Sequence, residues 1–364
     1  MKVLLFSTQW PEYMVELANG LSSYAEVTLV MPNNHRFTPK HAKLLNKQVG
    51  LFQYKLIFHK SIRDNFNMLY SILKLLWGVK PDILHIQANG HRLFYWVAIF
   101  KPWNTKIVNT IHDPAKHMGD RASAKIKDNL VIRLSKYFTN KYIVHGQILI
   151  EELVKYYNVP KRKVISIPHG HFEIYKKFKD NGFKTSHKNY VLFFGRIWKY
   201  KGLQYFIDAA NKVIDTFPAT MFYIVGKGED LSNYNFDQNK KDNFFIDNRR
   251  VSLGEAAVYY ENAAFVVLPY LEATQSGVIP VAYAFSKPVI ATKVGAITDI
   301  LIHNKTGFLV DKENTVQLAF AMEKLLSNNQ LLTDFSFNAY QFAENTLSWE
   351  NISRLTYETY LQLS

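Results

Sequence analysis

Short, unbroken apolar runs recur along the chain with longer amphipathic stretches between them. In the first half they are KVLLFS (2–7), VTLVM (27–31), DILHI (82–86), KIVNTI (106–111), YIV (142–144) and VISI (164–167). In the second half they are YVLFFG (190–195), MFYIVG (221–226), FFI (244–246), AFVVLP (264–269), PVIAT (288–292) and GFLV (307–310). A strand with one wet face alternates apolar and polar residues; most of these runs do not, and so predict parallel strands covered on both faces. The stretches between them carry helical periodicity. GLQYFIDAANKV places Leu203, Phe206, Ile207, Ala210 and Val213 on one side of a helix. Strand and helix in strict alternation predict two doubly wound α/β domains, joined near the polar, Lys-rich segment 168–190. In such folds ligands bind at the carboxyl ends of the strands, here expected to face a shared cleft.

Two stretches interrupt the apolar pattern with candidate chemistry. LPYLEATQSGVIPVAYAFSKPVIAT (268–292) reads as strand, polar turn, helix, strand. Ser276 and Gly277 stand where the helix opens, so unpaired amides around Ser276, Gly277 and Val278 would suit a phosphate; an ordinary Ser/Gly helix start with nothing bound fits this stretch equally well. YVLFFGRIWKYKGLQYFIDAA repeats the strand–turn–helix plan, with Arg196 at the strand end and Lys201 five residues on. A forked guanidinium and a mobile ammonium are the usual partners of paired phosphate oxygens. Together the two stretches suggest a diphosphate clamp.

Composition narrows the class further. With 364 residues the chain exceeds one hydrophobic core. It has no cysteine, which excludes disulfides, thiolate metal sites and cysteine nucleophiles. MKVLLFSTQW is too short for a signal peptide, and the apolar run 93–100 is far too short to span a bilayer. The net charge of +14 lies wholly in residues 1–170, with 24 Lys+Arg against 10 Asp+Glu; residues 171–364 carry 20 of each. An anionic partner is expected for the first half. Residues 59–80 predict an amphipathic helix that either packs on the sheet or lies in a membrane interface, and 120–138 a second basic helix.

At these residues the chain resembles the retaining GT-B glycosyltransferases of the family-4 type. FFGRIWKYKG is similar to the family's Gly-Arg…Lys-Gly donor-phosphate motif, FYIVGKGE to its next strand and turn, and VVLPYLEATQSGVIPVAYAFSKPVIATKVGAITDIL…TGFLV to its donor signature. VNTIHDP resembles the strand bearing its active-site histidine, VISIPHG its domain boundary, and LSWENISRLTYETYLQL a terminal helix that crosses back to the first domain. The resemblance implies an acceptor-binding Rossmann-like domain over 1–171, completed by 346–364, and a donor-binding one over 172–345.

It further implies a nucleotide-diphospho-sugar donor, carrying uridine or guanosine, with its diphosphate held by Arg196 and Lys201 and by amides near Ser276, Gly277 and Val278. His112 corresponds to the active-site histidine. A hexose-type sugar would pass, with retention and without a metal or other cofactor, to a glycan or a polyprenyl-diphosphate-linked saccharide, in the manner of bacterial surface polysaccharide synthesis. A cytoplasmic enzyme, peripheral on an anionic inner membrane face, is implied. Two departures stand out. The family's paired glutamates eight residues apart are replaced by Ala273 and Val281, so Glu272 is either a substitute contact to the donor sugar or a solvated loop acid, and Gln275 a replacement contact to sugar hydroxyls. The usual Gly-Gly turn after the first strand is STQWPEY, with Trp10 either stacking on an acceptor sugar or part of the core; His85 and Gln87 are further strand-end candidates. Competing readings are a GT-B nucleotide-sugar epimerase, a basic nucleic-acid-binding protein without a recognisable binding module, and a dinucleotide oxidoreductase, for which the Gly-x-Gly-x-x-Gly after KVLLFS is missing.

Overall fold

The computed structural model describes residues 1–34, 36–54, 62–87, 97–114 and 136–363. They form two units: those up to residue 168 and from 349 onwards make one, and 169–348 the other.

The first unit is built on seven strands: β1 (Lys2–Ser7), β2 (Glu26–Pro32), β3 (Gly50–Tyr54), β4 (Ile83–Gln87), β5 (Lys106–Thr110), β6 (Lys141–Val144) and β7 (Val164–Ser166). Their order is β3-β2-β1-β4-β5-β6-β7, and every pairing is parallel. The strand absent from the sequence expectation is β3. It pairs only with β2, lies at the sheet edge and exposes much of its length, so GLFQY lacks the apolar continuity of a central strand. Central strands are buried end to end, as β4 is.

The helix Ile62–Val79 lies on this sheet, with Met68, Ile72 and Leu76 packed among Leu4, Phe6, Leu84, Ile86 and Ile107. Its opposite side is apolar too: Phe66, Tyr70 and Trp77 are exposed there. The basic segment expected over 120–138 lies outside the described residues except for its last three. No helix among the described residues is long and apolar enough to cross a membrane.

The terminal helix Trp349–Leu361 belongs to this first unit and packs on the helix Pro11–Leu21. The approach is close enough that a Cβ on Gly20 would fall 2.1 Å from Ser353 Oγ. Tyr24 stacks on Tyr357 and Tyr13 meets Trp349 edge-on. His85 completes the joint. Its ring nitrogens face the Tyr360 hydroxyl at 2.5 Å and the Thr110 hydroxyl at 2.7 Å, and burial, with His145 nearby, pulls its pKa down to about 3. His85 is therefore a neutral strut between sheet and terminal helix; the strand-end reading offered for it above is corrected.

The second unit has six parallel strands: β8 (Tyr190–Phe194), β9 (Phe222–Val225), β10 (Phe244–Asp247), β11 (Ala263–Leu268), β12 (Val289–Thr292) and β13 (Gly307–Val310), ordered β10-β9-β8-β11-β12-β13. The helix Leu203–Thr216 buries the whole of its expected face, Leu203, Phe206, Ile207, Ala210 and Val213. Each large side chain so covered contributes about 1.5–3 kcal/mol. In both sheets the strand order reverses once, between β1 and β4 and between β8 and β11. In open α/β sheets such reversals leave a crevice at the strand carboxyl ends where ligands bind.

Candidate functional site

In the second unit the chain leaves β8 through Gly195 and Arg196 and leaves β11 through Pro269 and Tyr270, so both interruptions of the apolar pattern fall at the same reversal point. Three contacts hold the β8 loop in place. The Leu271 amide donates to the Tyr200 carbonyl at 2.8 Å, tying the two loops together. Gly202, at φ +71°, packs so tightly that a Cβ would lie 1.8 Å from the Pro269 carbonyl oxygen. The loop after β9 zips onto the other side: Ile197 N–H donates to Lys227 O at 3.2 Å, and Glu229 N–H to Ile197 O at 2.7 Å. Gly226 and Gly228 are required for that approach, since a Cβ on either would meet the carbonyl of Gly195 or Ile197 below 2 Å. The GKG triplet thus does more than turn the chain: it clamps the segment that carries Arg196. Asn248 braces the same turn through the Gly228 amide and the Glu229 carbonyl.

Arg196 is exposed and makes no ion pair among the described residues. Lys201 is half-buried, and its Nζ lies 3.5 Å from the centre of the Tyr270 ring and 5.1 Å from that of Tyr200. A cation over an aromatic face is held by the ring quadrupole, which limits where this ammonium can point. Sequence inspection missed Tyr270; a buried tyrosine directly after a strand carries no signal by itself. Its hydroxyl leans towards Ser276 but is buried without a hydrogen bond among the described residues, and burial pushes its pKa far up, so it stays protonated.

The turn after β11 departs from expectation in one respect. The helix opens at Val278, but the Val278 amide already donates to Ser276 Oγ at 3.3 Å, so this group is not free for a ligand. The Ser276 side chain is buried. Gly277 differs from the other glycines of the site: its φ is −69°, and an added Cβ would meet nothing within 4 Å. Nothing among the described residues requires glycine there. Gln275 Oε1 is buried without a hydrogen-bond partner among the described residues. Glu272 is half-exposed and lines a cleft of about 440 Å³ with Leu271, Ala273, Lys293, Gly295, Asp311 and Lys312. Gly295 lets this cleft close up, since at φ +52° it lies directly on the Ala273 carbonyl, and Ala296 N–H donates to Thr274 O at 2.9 Å.

The first unit assembles a second group of strand-end side chains. His112 is buried in a stack of rings, 4.2 Å from Trp10, 4.7 Å from His145 and 5.4 Å from Tyr13 between centroids. Its Nε2 faces Gln87 Oε1 at 3.4 Å. Gln87 is fully buried, and its Nε2 has no hydrogen-bond partner among the described residues. Ser7 Oγ lies 2.6 Å from Gln9 O and 3.0 Å from Gln87 O, joining the ends of β1 and β4. Trp10 is partly exposed and adopts φ +53°, a conformation rare for a bulky residue and concentrated at functional sites. His145 is neutral: burial outweighs its bond to the Ile167 carbonyl and the nearby Asp113, and lowers its pKa to about 4. Asp113 itself is exposed.

Comparison with known proteins bears on both units. Residues 188–328 match the family described as glycosyl transferases group 1, and residues 12–171 match glycosyltransferase family 4. Over 320 residues the chain is 23% identical to a D-inositol 3-phosphate glycosyltransferase of Paenarthrobacter aurescens, covering 80% of this chain and 77% of that one. It is 30% identical over 201 residues, half of each chain, to the UDP-Gal:alpha-D-GlcNAc-diphosphoundecaprenol alpha-1,3-galactosyltransferase of Escherichia coli. Among solved structures, HepE of Anabaena in complex with UDP superimposes with a TM-score of 0.72 at 15% identity, over the full length of both chains. With two parallel α/β units, a terminal helix returned to the first, and family matches over both halves, this chain belongs to the group 1, family 4 glycosyltransferases of GT-B fold.

Proposed function

We propose that the protein transfers a hexose-type sugar, with retention of configuration, from a UDP- or GDP-sugar to a glycan or polyprenyl-diphosphate-linked saccharide. The observation that carries this reading is the meeting of Arg196 and Lys201 with the β11 turn at the strand-order reversal of the second sheet. There the two cations grip the donor diphosphate, and Gly277 leaves room for its oxygens against the backbone. Glu272 and Gln275 are the candidate contacts to sugar hydroxyls, and Ser276 and Val278 shape the turn. The acceptor falls to the first unit, with His112 as its active-site histidine, fixed by Trp10, Tyr13 and Gln87.

In the reaction the acceptor oxygen forms a bond to the anomeric carbon on the face from which the diphosphate leaves. The bond from that carbon to the phosphate oxygen breaks, and the departing phosphate takes the acceptor's proton. Arg196 and Lys201 stabilise the negative charge that grows on the leaving group; preorganised donors of this kind are worth about 3–4 kcal/mol of barrier each. Their two positive charges do the work that a metal ion performs in other transferases. The E. coli relative's named donor and diphosphoundecaprenol-linked acceptor support this substrate class, as does UDP in the Anabaena structure. The surplus of cations in residues 1–170 supports a peripheral position on an anionic membrane face, with surface polysaccharide synthesis as the setting.

The experiment is a melting-temperature screen against UDP, GDP, ADP and CMP species, followed by product analysis with the stabilising nucleotide's sugars. A ligand at about 100 Kd adds about 2.7 kcal/mol. Stabilisation by no nucleoside diphosphate overturns the donor site; a new sugar nucleotide formed without acceptor identifies an epimerase instead.

A further inference from the structure

The helix Ile62–Val79 is apolar on two sides, and among the described residues one of them packs on the sheet while the other is exposed. Met68, Ile72 and Leu76 face the sheet. Phe66, Tyr70, Lys74 and Trp77, spaced along one stripe, face outwards. Beside them the segment before β5 presents Ile99, Phe100, Lys101 and Trp103, and Trp103 is 92% exposed. The Trp77 indole N–H donates to the Phe100 carbonyl at 2.9 Å, fixing helix and segment as one surface. Between them runs an open groove of about 780 Å³. Scattered exposed apolar residues are ordinary; a contiguous patch with three tryptophan or tyrosine rings is not.

Charge identifies the occupant. Residues 65–81, 97–112 and 136–149 contain no Asp or Glu, while Lys74 and Lys101 line the groove. A second copy of the chain docked symmetrically would set these lysines against one another, and like charges so placed are costly. A nucleic acid strand would need a run of cations along its backbone, and here apolar side chains outnumber them. Rings with one polar tip beside lysines and without acids match the interface of an anionic bilayer, where Trp and Tyr sit at headgroup level and lysines meet the phosphates.

We propose that Tyr70, Trp77, Phe100 and Trp103, with Lys74 and Lys101, form the surface by which this protein docks on anionic lipid. This rests on the peripheral-membrane part of the function proposed above and assigns it to one face of the first unit.

The test is co-sedimentation of the full-length protein with vesicles of phosphatidylcholine alone and of phosphatidylcholine mixed with phosphatidylglycerol. Binding is expected only to the mixed vesicles. Trp103→Ala should weaken it tenfold or more. Lys74→Glu with Lys101→Glu should weaken it at least 25-fold, since each basic residue near such a surface is worth about fivefold. Trp103 is too exposed for its loss to unfold the protein, and the melting temperature checks this in each variant. If wild type and both variants bind mixed vesicles equally, this surface is wrong while membrane attachment stands. If wild type ignores both vesicles, surface and attachment fail together, whatever the nucleotide screen shows. Dimerisation, or oligonucleotide binding, abolished by Trp103→Ala in place of lipid binding would also overturn the proposal and name the true occupant.

Discussion

Lys201 offers the sharpest separation of binding from folding. Its Nζ lies 3.5 Å from the Tyr270 ring centre, on a loop held by Gly202 and by the Leu271–Tyr200 hydrogen bond. Lys201→Ala removes two interactions of different size. The contact with the ring is worth about 0.5–1 kcal/mol at a partly exposed site, and a loss of that order lowers the melting temperature by about 2–4 °C per kcal/mol in a unit of this size. A charge-assisted contact to a phosphate is worth about 1.5–3 kcal/mol, which weakens nucleoside diphosphate binding about 10- to 150-fold. Titration calorimetry with the nucleotide from the screen, at near-physiological ionic strength where the Debye length is about 8 Å, reads the second effect, and calorimetric melting without ligand reads the first. Tyr270→Phe should leave binding intact, since the ring remains and only a buried, unbonded hydroxyl is lost. Tyr270→Leu removes the platform and should weaken binding with Lys201 still present. A Kd unchanged within twofold in Lys201→Ala and in Arg196→Ala refutes the clamp; so does weakened binding that merely follows the loss of stability.

Two glycine substitutions provide a contrast. Gly277→Ala meets open space at an ordinary backbone angle, so melting without ligand should be unchanged or slightly higher, while diphosphate affinity falls; affinity kept at wild-type level places the diphosphate elsewhere. Gly202→Ala forces a Cβ into the Pro269 carbonyl at φ +71°, and should lower the melting temperature and abolish nucleotide binding together; a wild-type melting curve contradicts this close packing. Acid should destabilise the first unit through two buried histidines. Burial holds His85 and His145 neutral in the fold, with pKa values of about 3 and 4 against the 6.5 of a free histidine, so the unfolded chain binds more protons. Their contribution is fully present above pH 6.5 and falls by about 1.4 kcal/mol per pH unit for each histidine as the pH drops below it. Urea midpoints that stay constant between pH 6.5 and 4.5 would exclude this.

Much of the architecture was legible because it rests on local pattern. Twelve apolar runs announced the covered strands, and the helix Leu203–Thr216 buried the expected face, since a side chain's direction on a helix follows from spacing alone. Arg196, Lys201 and the Ser276–Gly277 turn could be singled out because Gly, Arg and Lys at strand ends have few structural uses. The edge strand β3 could not, because half-exposed strands lose the apolar signal that marks the others. Nor could the second apolar face of the helix Ile62–Val79: periodicity reports that residues are apolar, and only packing decides which of two faces the sheet covers.

The chain's order of apolar and polar residues thus determined that two parallel α/β units form and which turns carry cations. Tertiary structure alone decided how those turns are held. His85, a strand-end histidine by sequence, became a buried strut because Tyr360, 275 residues away, reaches its ring. Tyr270 became the seat of Lys201 because two loops distant in sequence meet where the strand order reverses. Ser276 took up the Val278 amide that the sequence had left open to a ligand. The physical reason is common to all three: hydrogen bonds and ring contacts act over a few ångströms, and which groups come that close is set by strand order and packing, which no local window of sequence contains.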